Sequence, residues 1–125
     1  MTAEVEFQFK DENPIELKAL LEEASASDVE EVTEEGLLPL VGVVVAAVIA
    51  IQALGNVIVK LTRLWSCGII IDARTATIRT TKDCDLPRGV VLVLTKNDTK
   101  HQIYEPSETD IGKLLDGAIG DLSTG

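Results

Sequence analysis

Cys67, Cys84 and His101 are the residues of this chain best suited to bind a metal or to attack a substrate. Successive members of the set lie 17 residues apart, whereas structural zinc sites use close pairs such as C-x2-C together with a fourth ligand. No fourth ligand stands out, so no metal is expected. His101 sits beside a turn, and no Ser or Cys lies in an activating motif, so it reads as a surface histidine on a strand. Gly36, Gly42, Gly55, Gly68 and Gly89 form neither a dinucleotide fingerprint nor a Walker-type loop. The acidic stretch 22–35 lacks the alternating Asp/Asn spacing and central Gly of a calcium loop. It reads as a solvated face that keeps an apolar protein dispersed, with a basic partner surface as the alternative. The expectation is a non-enzyme that uses no cofactor.

Charge is distributed unevenly around these residues. The 125 residues carry 21 acids against 11 bases, a formal net charge of −10. Residues 1–36 hold 12 of the acids and only Lys10 and Lys18, so they account for the whole net charge. An acidic chain neutralises phosphates poorly, which argues against sequence-independent nucleic-acid binding. The opening Met-Thr-Ala-Glu-Val-Glu lacks the basic start and apolar run of an export signal. The expectation is a protein that is cytoplasmic or associated with the inner membrane, not secreted, with both cysteines as reduced thiols.

The elements that must position these residues follow from periodicity. Val5, Phe7 and Phe9 alternate with polar residues, which predicts a strand over 3–10. Pro14 suits a first helical turn, and Ile15, Leu17, Leu20, Leu21 and Ala24 continue at helical spacing, predicting a helix over 14–26. Val29 and Val32 leave room for a short edge strand or an extended linker within the acidic stretch. From Gly36 to Val59 there follow 24 residues without a charge, long enough to cross a bilayer core of about 30 Å.

From Gln52 onward polar residues recur as Gln52, Asn56, Lys60 and Arg63, opposite Leu54, Val57, Ile58, Leu61, Leu64 and Trp65. The pattern predicts one long helix over 37–65, apolar all round in its first half and docked on a sheet in its second. Two readings of the first half stand side by side: it spans or inserts into a membrane, or it is buried against another copy or a partner. Either way its surface residues Leu38, Val41, Gly42, Val45, Ala46, Val48 and Ile49 form the candidate interaction surface.

Beyond Trp65, β-branched runs predict a hairpin of strands 68–73 and 76–81. Symmetry about 75–76 sets Asp72 opposite Arg79, Ile71 opposite Thr80 and Cys67 opposite Cys84, a register in which a cross-strand disulfide is geometrically conceivable. Val90-Val-Leu-Val-Leu-Thr is apolar on both faces and predicts a central strand over 89–95. A strand over 101–105 and a helix over 107–119, with Ile111, Leu114, Leu115, Ala118 and Ile119 as its apolar stripe, complete the chain. The expected fold class is α+β, with a predominantly antiparallel sheet of five or six strands, helices on one face and one long apolar central helix. Its segments are an acidic strand-helix unit (1–36), the long helix (37–65) and a β-rich region with a closing helix (66–125), within one domain.

The helix start Asp11-Glu12-Asn13-Pro14 with Leu17, the Leu54-Gly55 step inside the apolar run, the terminal Leu64-Trp65 and the late turn between strands form a recognisable order. In that order the chain resembles the small effector-associated constant components of bacterial conflict systems. It departs from them in the hairpin of 68–83 and the Asp85-Leu-Pro-Arg-Gly link. The resemblance implies a non-catalytic adaptor or membrane-associated partner of an effector, and it assigns no site residues. The function expected is an interaction or assembly protein that self-associates or docks to an effector through the apolar helix of 37–59. The alternative is a small single-span or membrane-inserting protein with a cytoplasmic β-rich domain.

Overall fold

The computed structural model of the protein describes residues 2–9, 14–32, 43–65, 67–96, 99–105 and 107–123. The alternating N-terminal segment forms β1 (Thr2–Phe9), and the Pro-initiated segment forms α1 (Pro14–Glu23). The acidic stretch that follows contains an edge strand, β2 (Ser27–Val32). Later come β4 (Gly68–Asp72), β5 (Thr77–Asp83), β6 (Val90–Thr95), β7 (Thr99–Tyr104) and α3 (Glu108–Ser123).

The long apolar helix is not part of this fold. Residues Val43–Ala50 are a strand, β3, and the helix α2 (Ile51–Leu64) begins at the next residue. The cause lies in the side chains. Val43, Val44, Val45, Val48 and Ile49 are β-branched, restricted at χ1 in a helix and well accommodated on a pleated surface. β3 is paired along both edges, to β1 and to β2, so an apolar run without periodicity is also what an interior strand shows. Ala50 is the last extended residue, at φ −64° and ψ 140°. Helical periodicity starts where the polar stripe starts, at Gln52. Ile51, Leu54, Val57, Ile58 and Leu61 are buried, whereas Leu64, expected on the docked side, is 45% exposed. Among the described residues no helix is long and apolar enough to cross a membrane.

The strands form one seven-stranded sheet in the order β2-β3-β1-β5-β4-β6-β7. It is mixed, which corrects the expected antiparallel sheet of five or six strands: β1 pairs with β5 and β4 with β6 in parallel, and the remaining neighbours are antiparallel. Parallel neighbours cannot be joined by a tight turn, and neither pair is consecutive in the chain; α2 carries the chain from β3 past β1 and β5 to β4.

One face of the sheet carries the core. Val5 and Phe7 of β1, Val45, Ala47 and Ile49 of β3, Ile78 of β5, Ile69 and Ile71 of β4 and Val91 and Val93 of β6 join the apolar stripes of all three helices: Leu17 and Leu21, Leu54 to Leu61, Ile111 and Leu115. The residues that alternate with these strand positions point to the opposite face, over which no described element is laid.

Candidate functional site

The surface predicted from 37–59 is divided by the strand. Val45 and Ile49 point into the core and are 0% and 1% exposed, so neither can meet a partner. Ala46 and Val48 point the other way and are half-buried on the helix-free face. Leu38, Val41 and Gly42 lie outside the described residues. In a helix Val45 and Val48 would share a side; in a strand they are on opposite sides.

The chemical candidates are also accounted for. Cys67 and Cys84 are joined in a disulfide, contrary to the expectation of two thiols, and Cα–Cα is 4.5 Å. The pairing follows from the hairpin, whose register sets Asp72 opposite Arg79, Ile71 opposite Thr80 and Gly68 opposite Asp83, one step from the two cysteines. His101 is on the outermost strand β7 opposite Val93, its Nε2 3.4 Å from Thr95 Oγ1. No group of three or more His, Cys, Asp or Glu residues among the described residues is arranged to hold a metal. A cleft of about 560 Å³ lies between the start of α2 and α3, lined by Ala50, Ile51, Gln52, Thr109, Gly112, Lys113 and Asp116. Its single carboxylate has no second acid, His or Cys beside it in that lining with which to share acid–base work.

The arrangement that stands out is on the helix-free face. Strand register places Glu30, Ala46, Glu6, Arg79, Asp72, Leu94 and Lys100 in one row across all seven strands. Acids occupy the β2 and β1 end, and Lys100 occupies the β7 end. In the middle, Arg79 Nε is 3.8 Å from Glu6 Oε2. Arg74 donates to Asp72 through Nε and Nη2, each at 2.9 Å, a bidentate fork. That hydrogen bonding from Arg74 is the main cause that holds the Asp72 carboxyl below its usual pKa of 3.8. In the neighbouring row Gln8, Thr81, Ile70, Leu92 and Gln102 follow one another from β1 to β7. Ile70, Leu92 and Leu94 are thus a half-buried apolar strip on β4 and β6, and Ala46 and Val48 form a second one on β3.

Such a face offers a surface for binding. Arg79 pairs with Glu6 and Arg74 with Asp72, and the side chains of the two apolar strips remain partly exposed although a single further layer would bury them. Only the two-faced apolarity of β3 and β6 hinted at it in the sequence; the charged row is assembled by register from seven separate strands. Compared with protein families, curated proteins and solved structures, the chain matches none.

Proposed function

We propose that this protein is a non-enzymatic interaction module whose contact surface is the helix-free face of the sheet. The observation that carries the reading is the pair of half-buried apolar strips, Ala46 and Val48 on one side and Ile70, Leu92 and Leu94 on the other, flanking a row of paired charges. The resemblance to effector-associated constant components supplies the biological setting of the proposal: an adaptor in a bacterial conflict system.

The test is the size of the native complex. In gently lysed cells that naturally contain the protein, the wild type is expected to sediment in a complex larger than a single chain. Leu92→Lys combined with Leu94→Lys is expected to sediment as a single chain while its thermal unfolding stays within a few degrees of wild type. A folded double variant that keeps its place in the wild-type complex would overturn the reading.

A further inference from the structure

We infer that β7 pairs with β7 of a second copy, antiparallel and about a twofold axis through Gln102, so that two sheets join edge to edge. Glu105 N donates to Gly89 O at 3.0 Å. The β6–β7 register alternates from there, so the main-chain groups of Ile103, His101 and Thr99 face β6. Leu94 O agrees with that alternation, since it accepts from Ala73 N at 2.8 Å on the β4 side. The N–H and C=O groups of Lys100, Gln102 and Tyr104 therefore point out of the sheet, and among the described residues no strand lies beyond β7. An extended strand meets such a row with donors and acceptors in the matching alternation.

The row is complementary to itself. With Gln102 on the axis, Lys100 faces Tyr104 of the second copy, Gln102 faces Gln102, and Tyr104 faces Lys100. Each of these pairs exchanges two hydrogen bonds, so no outward group is left unmet. A slip of two residues either way sets one of the outward groups against a residue outside β7, and the slip that centres on His101 puts two imidazoles face to face. In the full register no like charges oppose: His101 faces Ile103, and the Lys100 stem lies across Tyr104. That ring is 69% exposed in the single chain, and its hydroxyl accepts from Gln102 Nε2 at 3.0 Å.

The opposite edge is built against such pairing. β2 breaks register between Ser27 and Glu30, holds Asp28 at φ 51°, and carries Asp28, Glu30 and Glu31, which would repel their like in a second β2. β7 keeps one register with β6 along its whole length and contains no Pro.

Residues directly opposed in antiparallel strands share a face, so the twofold stands perpendicular to the sheet. The helices of both copies then lie on one side, and the two helix-free faces merge on the other, with the β6 strips about 14 Å apart. The pairing does not depend on what covers that merged face. Its contact is a strand edge about 17 Å long, at the small end of specific interfaces, so a Kd of about 50 μM is expected and dilution separates the copies.

Sedimentation equilibrium of the purified chain and cross-linking through introduced cysteines test this together. The wild type is expected to be mostly dimeric at about 500 μM. Gln102→Pro removes an N–H that the single chain does not use, so it is expected to melt within a few degrees of wild type and to associate at least tenfold more weakly. Under mild oxidation Gln102→Cys is expected to cross-link to itself, because hydrogen-bonded pairs hold their Cα atoms about 5.5 Å apart, within reach of a disulfide. Lys100→Cys is expected to cross-link when mixed with Tyr104→Cys and not when alone. A wild-type chain that stays single at about 500 μM would overturn the inference and leave the edge to a strand of another protein. So would a folded Gln102→Pro variant that associates like wild type, or Lys100→Cys cross-linking alone as readily as Gln102→Cys.

Discussion

Val45 and Val48 point to opposite faces of the sheet: Val45 opposes Phe7 on the core side, and Val48 opposes Glu4 on the helix-free side. A lysine at either position therefore has a different fate. Val45→Lys buries an unpaired ammonium among apolar side chains and is expected to cost about 4 kcal/mol or more, enough to unfold a domain of ordinary stability. Val48→Lys gains Glu4 as a cross-strand neighbour and is expected to shift stability by no more than about 1 kcal/mol. Urea denaturation of the two variants checks this, and equal losses at both positions would contradict the strand.

The disulfide gives a second expectation. Cys67 and Cys84 are 17 residues apart, and closing a loop of that length in the unfolded chain is worth about 3 kcal/mol. Cys84 is exposed and open to a reductant. Reduction, or Cys67→Ser with Cys84→Ser, is expected to lower the melting temperature by about 10 °C without loss of the fold. An unchanged melting temperature after complete reduction would contradict a stabilising bridge.

Thr80 faces the core at 0% exposure, and its Oγ1 is buried with no hydrogen-bond partner. Valine has the same shape without the hydroxyl. Thr80→Val is expected to stabilise the protein by about 1 kcal/mol, because a polar group that found no partner on folding is removed. A loss of stability in thermal or urea unfolding would show that the hydroxyl is satisfied.

The Asp72–Arg74 fork has a pH signature. A carboxyl held below its usual value adds stability at pH above its unfolded value of 3.8, and that contribution disappears as pH falls through the lowered folded value. Asp72→Asn is therefore expected to be less stable than wild type at neutral pH, with the gap closing below about pH 4. A gap that is constant or widens with acid, measured as urea midpoints, would contradict the pairing.

Much of the fold could be read from the residues because its signals are local. β1, α1, β6, α3 and the register of the β4–β5 hairpin all follow from alternation, helical spacing or one facing pair, Asp72 and Arg79. β3 could not be read this way. Its run of branched aliphatics has no polar side, so neither a period of two nor one of 3.6 is imposed, and length alone suggested a helix. The parallel pairs β1–β5 and β4–β6 were hidden for another reason: they join strands whose separation in sequence is set by crossovers. The candidate site inherits both difficulties, since one of its two apolar strips lies on β3 and its charged row exists only once all seven strands are in register.

The central claim is that the helix-free face is covered in the working protein. Cysteine labelling in living cells tests it most directly, with Leu92→Cys on that face, Thr109→Cys on exposed α3 as a reference, and the wild type to correct for Cys67 and Cys84. With a membrane-permeant maleimide, Leu92→Cys is expected to be protected in cells that naturally contain the protein and to react freely in dilute purified protein, while Thr109→Cys reacts in both. Equal labelling of Leu92→Cys in the cell and in dilution would contradict the claim.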